Sequence, residues 1–220
     1  MRGVRSLGAT ALALLLLGSA ACGGNQSTPF PPGLKMIEQV SLSGPPPDGS
    51  DKTPEKVVTS SGSTSSYDDA QARGYIHEPL SVVYAALQDP DVVVDRRSVA
   101  KYTVTHNVES GYDVSFRVHN TIYDIVTVEF DMTWREGVTV GTRSAPTQVN
   151  ARAEKTAGTA YISLMEVSIQ LNSVSDGVTL FQAAEHISAA SSSASTIELY
   201  LKDVYASLLA KSHGQPLPTY

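Results

Sequence analysis

The stretch VSIQLNSVSDGVTLFQAAEHISA, residues 167–189, followed closely by TIELYLKDVYASLL, residues 196–209, decides how this chain folds. Val167, Ile169 and Leu171, with Met165 before them, share one face of an alternating strand. Asp176-Gly177 is a hairpin signal, so VTLFQAAEHISA reads as the returning strand. Ser195-Thr196-Ile197-Glu198 has the form of a capping box. Ile197, Leu201, Val204 and Leu208 then recur at helical spacing, and Tyr200 and Tyr205 widen the stripe. Gly214 and Pro216 stand where such a helix stops. A hairpin feeding a long amphipathic helix gives an antiparallel sheet the cover that its apolar face needs.

Upstream the pattern continues. In SVAKYTVTHNVES and DVSFRV the residues alternate, and Ser110-Gly111 marks a turn between them. TIYDIVTVEFDMTWREG, residues 121–137, is read as one strand with Val126, Val128, Phe130, Met132 and Trp134 on the apolar face. Glu136-Gly137 is expected to turn, and TQVNARAEKTAG to supply a further, more polar strand. Before these strands, His77-Glu78-Pro79-Leu80 looks like a helix start. Val82, Val83, Ala86 and Leu87 give that helix its apolar positions, and Asp89-Pro90 ends it. The order is a short helix, a run of antiparallel strands and a long terminal helix, an α+β layout that cystatin-like folds also approach.

YIHEPLSVVYAALQDP at one end and the hairpin with TIELYLKDVYASLL at the other resemble the helix-grip fold of the START-like, or SRPBCC, superfamily, polyketide cyclase-like proteins included. The resemblance covers residues 70–212 and lies in layout, with no diagnostic motif, and it leaves the first strand unassigned. It implies an antiparallel sheet wrapped on the C-terminal helix, with a cavity between them for an apolar small molecule or lipid. The stripe of that helix should then face Val128 and Phe130. Candidate lining residues are Val128, Phe130, Met132, Trp134, Tyr200, Leu201, Val204, Tyr205 and Leu208.

Residues 1–21 carry a secretory signal: Arg2 and Arg5, the apolar run LGATALALLLL, then Gly18, Ser19, Ala20 and Ala21. The run is short for a membrane span, which needs about 20 apolar residues. Cys22, the only cysteine, follows directly. The segment resembles a bacterial lipoprotein signal, which implies lipid attached to Cys22, with Ser19 standing where leucine is more usual. Each buried methylene of such a lipid contributes about 0.8 kcal/mol to anchoring. By the same resemblance, Gly23 leans the sorting towards the outer membrane. The expected location is the cell envelope, facing the periplasm or the surface. Residues 22–69 are rich in Pro, Ser, Thr and Gly without an apolar period and are expected to form a flexible, lipid-anchored linker. LKMIEQVSL, residues 34–42, is the one part of it able to pair as a strand or dock. The folded domain is expected at 70–214, with a tail at 215–220.

The formal net charge is −6 and no basic run follows Arg5, so nucleic acid is not an expected partner. A single cysteine makes no intrachain disulfide, and no Cys/His cluster suggests a metal. Nucleophile-elbow, phosphate-loop and zinc-protease motifs are absent, and no cofactor is implied. The five histidines are scattered, without a placed partner in sequence. Asp124 shares parity with Val126, Val128 and Phe130, so in a regular strand it would face the apolar side as a cavity acid. A turn or bulge near it would carry it to water instead. No catalytic residue is assigned.

Three functions fit: a lipid-anchored module binding an apolar ligand, a cyclase- or hydrolase-like enzyme on the same fold, or a structural lipoprotein with a filled core. A cavity without charge favours the first. A cavity with a buried acid beside a histidine favours the second. No cavity, with an exposed apolar patch, favours the third.

Overall fold

The computed structural model describes residues 25–123 and 125–220. The signal segment, Cys22 and Asp124 therefore lie outside the described residues.

Eight strands form one antiparallel sheet: β1 (Val57–Ser63), β2 (Asp68–Ile76), β3 (Lys101–His106), β4 (Val114–Tyr123), β5 (Thr127–Thr142), β6 (Ala145–Gly158), β7 (Ile162–Ser175) and β8 (Val178–Ala189). Their spatial order is β1-β2-β8-β7-β6-β5-β4-β3, so β3 to β8 make a meander and β2 returns beside β8. Helix α1 (Leu80–Leu87) and a 3-10 turn (Pro90–Val92) lie between β2 and β3, and α2 (Ala194–Ser212) ends the fold. This is the α+β helix-grip arrangement.

Alternation puts an apolar row on the concave face: Ala70 and Ala72 on β2, Phe181 and Ala183 on β8, Val167, Ile169 and Leu171 on β7, Ala151 and Ala153 on β6, and Met132 and Trp134 on β5. Alanines recur beneath the helices because a helix needs close approach there. Gly74 continues this row. A Cβ on it would come within 2.8 Å of the Tyr205 ring and 2.6 Å of the Lys56 carbonyl. Tyr205 instead lies across that gap and donates to the Tyr75 carbonyl oxygen at 2.7 Å.

Helix α1 starts behind Pro79 and buries Leu80, Val83, Tyr84, Ala86 and Leu87. Helix α2 is capped by Ser193, whose hydroxyl accepts from the Thr196 N–H, one residue pair earlier than the expected box. Glu198 is free of that duty. It accepts from Thr59 and Ser61 on β1 at 2.6 and 2.8 Å and pairs with Lys202. Lys202 first, then those hydroxyls, hold its carboxyl down to about 2. Gly214, with φ of +66°, takes the left-handed position after the helix.

Three expectations are corrected. TIYDIVTVEFDMTWREG is not one strand: β4 ends at Tyr123 and β5 begins at Thr127, with Ile125 fully exposed between them. Glu136-Gly137 is not a turn, since β5 runs on to Thr142.

The third correction concerns the linker expected at 22–69 and the domain start expected at 70. Strands β1 and β2 begin at Val57 and Asp68. Residues 25–44 form a strap over the convex face. Beyond Glu154 and Glu166, β6 and β7 no longer pair, and residues 26–28 wedge between them. There the N–H groups of Gln26 and Thr28 donate to the Gly158 and Lys155 carbonyls at 2.9 and 2.7 Å. The strap then crosses the strands. Arg135 donates to the Pro31 carbonyl, Asn150 to Leu34, Arg152 to Lys35 and Arg73 to Leu42, at 2.8–3.2 Å. The Ile37 and Ser41 N–H groups donate to Ser168 and Gln71. Phe30 stacks under the Arg135 guanidinium, 3.4 Å from its ring centroid. Gly137 leaves the room that Leu34 uses: a Cβ there would stand 3.1 Å from its side chain. Polar strand residues thus satisfy the strap's backbone, and this order needs no apolar period. The 215–220 segment is tied down too, with the Pro218 carbonyl accepting from Arg96 and Tyr220 against Arg97.

Candidate ligand-binding site

Helix α2 packs chiefly on β1, β2 and α1, so its stripe does not reach across to β4 and β5. The concave face beside its first turns stays uncovered and opens a cavity of about 340 Å³. Ile122 of β4, Val126 just before β5, and Val128 and Phe130 at the start of β5 make one wall. Ile162 and Met165 of β7 with Ile187 and Ala189 of β8 make the floor, and Ile197 and Tyr200 of α2 the roof. Tyr161 and Val126 are half-exposed at the rim. The position follows from the topology: β8 turns into α2 here, and the β4–β5 and β6–β7 turns converge on the same end of the sheet.

Two acids are part of this apolar wall, Glu185 and Asp95. Glu185 shares parity on β8 with Phe181 and Ala183, so regular alternation turns it inward. It is 1% exposed, and its Oε2 has no hydrogen-bond partner. Burial, reinforced by the charge of Asp95, pushes its carboxyl well above the usual range, which favours the neutral form. Asp95 follows the 3-10 turn and accepts from the Arg97 and Ser98 N–H groups at 3.1 Å. Tyr200 donates to the Val93 carbonyl at 2.9 Å and closes the inner end. Among the described residues no lysine, arginine or histidine lines the cavity.

Of the residues expected to line a cavity, Val128, Phe130 and Tyr200 border this one. Met132 and Trp134 line a separate small space of about 30 Å³ that Phe130 and Tyr200 also border. Leu201, Val204, Tyr205 and Leu208 are in the packed core, because α2 lies over β1 and β2 rather than over β5. Glu185 and Asp95 were not anticipated. Strand parity within VTLFQAAEHISA carries the signal for Glu185, whereas nothing local marks Asp95.

A second inward acid, Glu136, continues the row of Met132 and Trp134 on β5. Both its oxygens are buried without partners, and burial raises its carboxyl well above the ordinary range. It lies outside the cavity. The histidines do as well. His186 faces the convex side against Glu166, His119 pairs with Asp131, and His213 pairs with Glu55. His77 contacts the Thr53 carbonyl, and His106 lies by Phe116. Among the described residues no cluster of metal-ligating side chains occurs, and no helix is long and apolar enough to cross a membrane.

No protein-family model and no curated protein sequence matches this chain. Solved structures do. Human StAR-related lipid transfer protein 5 is similar at 10% identity, over 74% of this chain and 84% of that one, with a TM-score of 0.52. The lipid transfer and protein localization domain of human StarD13 is similar at 12% identity, over 74% and 91%, with a TM-score of 0.45. The Zhui aromatase/cyclase from Streptomyces sp. R1128 is similar at 13%, over 67% and 92%, with a TM-score of 0.39. Such identities speak for the fold alone. With the sheet order and the gripped helix, the similarity to StAR-related lipid transfer protein 5 gives the fold as START-like helix-grip.

Proposed function

We propose that the START-like domain holds an apolar small molecule or lipid in the cavity beneath the first turns of α2. The observation that carries this reading is the cavity itself, about 340 Å³, with a mostly apolar wall that holds the buried Glu185 and the partly buried Asp95. A packed core would leave no such space, because a void lined by apolar side chains forfeits their contacts. The similar human proteins are named for lipid transfer, which agrees with this use. The N-terminal sequence supports the rest of the proposal: secretion, lipid on Cys22 and a place in the cell envelope, with the outer membrane favoured by Gly23. Membrane anchoring then runs through that lipid, and the domain works beside the bilayer.

Native mass spectrometry of the full chain tests the binding reading. A co-purified mass that organic solvent removes supports it. A chain that carries none, and takes up no apolar probe, overturns it. Membrane fractionation of wild type and Cys22→Ser tests the anchor. Loss of membrane association and of an added lipid mass in the variant is expected, and equal fractionation contradicts it.

An enzyme on the same fold is the second reading, and Glu185 is the observation that favours it, as a neutral acid in a dry cavity can donate a proton. No histidine stands beside it to return one. Chemical analysis of a bound ligand separates the readings, since a binding module releases its ligand unchanged.

A further inference from the structure

We infer that the cavity selects apolar amines and rejects apolar anions. This rests on the binding reading and names the head group of its ligand. Glu185 is buried on the cavity wall with Oε2 unpartnered, and Asp95 lines the same space. Among the described residues no cationic side chain lines the cavity to balance either acid. The remaining wall is aliphatic or aromatic apart from tyrosine, serine and threonine hydroxyls near Ser191 and Thr196. An uncompensated buried carboxylate is costly, and in the protein alone that cost favours the neutral form of Glu185. An ammonium entering with its alkyl chain along Val128, Phe130 and Ile197 changes this. It supplies the missing counter-charge, stabilises the ionised form of Glu185 and gains from Asp95 as well. In a poorly solvated space, a charge-assisted hydrogen bond is stronger than a neutral one. An alcohol bonds only to the neutral acid. A carboxylate or phosphate head meets two acids and no cation.

Three probes with one chain length decide the matter: decylamine, decanol and decanoate, titrated into the full chain by calorimetry at neutral pH. Decylamine should bind about tenfold more tightly than decanol, and decanoate most weakly. In Glu185→Gln, which keeps shape and volume, the preference for amine over alcohol should fall to about twofold while decanol still binds. Asp95→Asn should weaken decylamine binding by a smaller factor and serves if the first variant folds poorly, which circular dichroism reports. Equal affinity for amine and alcohol, or tighter binding of decanoate, overturns the inference and leaves the binding reading standing. An amine preference that survives in both variants shows the selectivity to lie elsewhere and overturns it too. If none of the three probes binds, the binding reading itself fails.

Discussion

The two faces of the sheet bury charge in opposite ways. On the convex face, Arg152 donates to Glu154 at 2.6 and 2.9 Å and to Glu166 at 3.1 Å, and His186 meets Glu166 at 2.9 Å. Tyr67 stacks on His186, 4.4 Å between centroids, and the strap's Glu38 comes within 3.5 Å of the imidazole. On the concave face, Glu185 and Glu136 are as deeply buried, with no cation engaged. Burial lifts the Glu154 carboxyl to about 8 even with Arg152 bonded to it, while the His186 hydrogen bond holds Glu166 low. Paired charge beneath a strap is structural, since removing one partner strands the others. Glu185, unpaired beside the cavity, is the acid that the proposed ligand would meet.

The largest effect expected from breaking this contrast is on the convex side. Arg152→Ala should cost about 3–5 kcal/mol, because it leaves Glu154 and Glu166 buried together and the Lys35 carbonyl without its donor. Denaturant unfolding measures this, and a loss under about 1 kcal/mol would mean that water replaces the guanidinium at little cost. Leu201→Ala tests the filled half of the concave side. Leu201 is fully buried, and its removal should cost about 2–5 kcal/mol. Because Leu201 lies away from the cavity, probe affinity at a temperature where the variant is folded should not change. Deleting residues 25–44 should cost about 2 kcal/mol or more, as the strap's hydrogen bonds are lost and the Lys155 ammonium loses the Gln26 carbonyl. An unchanged midpoint would restore the picture of a loose linker.

Glu185→Gln has the smallest effect and a distinctive pH dependence. Well below about pH 4.5 the glutamate is protonated in both folded and unfolded chains and adds no pH-dependent cost. Its folded pKa is raised, so as pH climbs the unfolded chain releases the proton while the folded one holds it, and stability falls. The glutamine variant lacks this slope, so by pH 8 it should exceed wild type by about 1 kcal/mol or more relative to their difference at pH 4.5. Parallel stability curves would mean that Glu185 is solvated when folded. The opposite sign belongs to Glu166, whose lowered pKa adds stability that is lost as pH falls through its folded value.

The fold was legible where burial is one-sided. The β7–β8 hairpin and α2 announce themselves because each has one apolar face, and the Asp176-Gly177 turn separates two such strands. Strand β1 did not, because VVTSSGS is a small, polar edge strand that takes its order from β2 and from Glu198. The strap did not either. Its partners are arginine, asparagine and glutamine side chains that seek backbone carbonyls, and hydrophobic patterning is blind to such pairing. Glu136-Gly137 looked like a turn on residue type, yet Gly137 is a strand residue making room for Leu34. At the site, apolar wall residues such as Val128 and Phe130 were readable from alternation. Which of them line space and which fill it depends on where α2 lies, and Gly74, Tyr205 and the β1 contacts of Glu198 hold it over β1 and β2.

Methyl NMR during titration with decylamine tests the central claim most directly, that the concave face beside α2 is the binding site. Ile122, Ile162, Ile187 and Ile197 line the cavity, whereas Ile37 lies in the strap and Leu208 in the packed core. Saturable shifts confined to the first four, with Ile37 and Leu208 unmoved, are the predicted result. Shifts centred on Ile37, or none at the four cavity isoleucines while the probe binds, would contradict it.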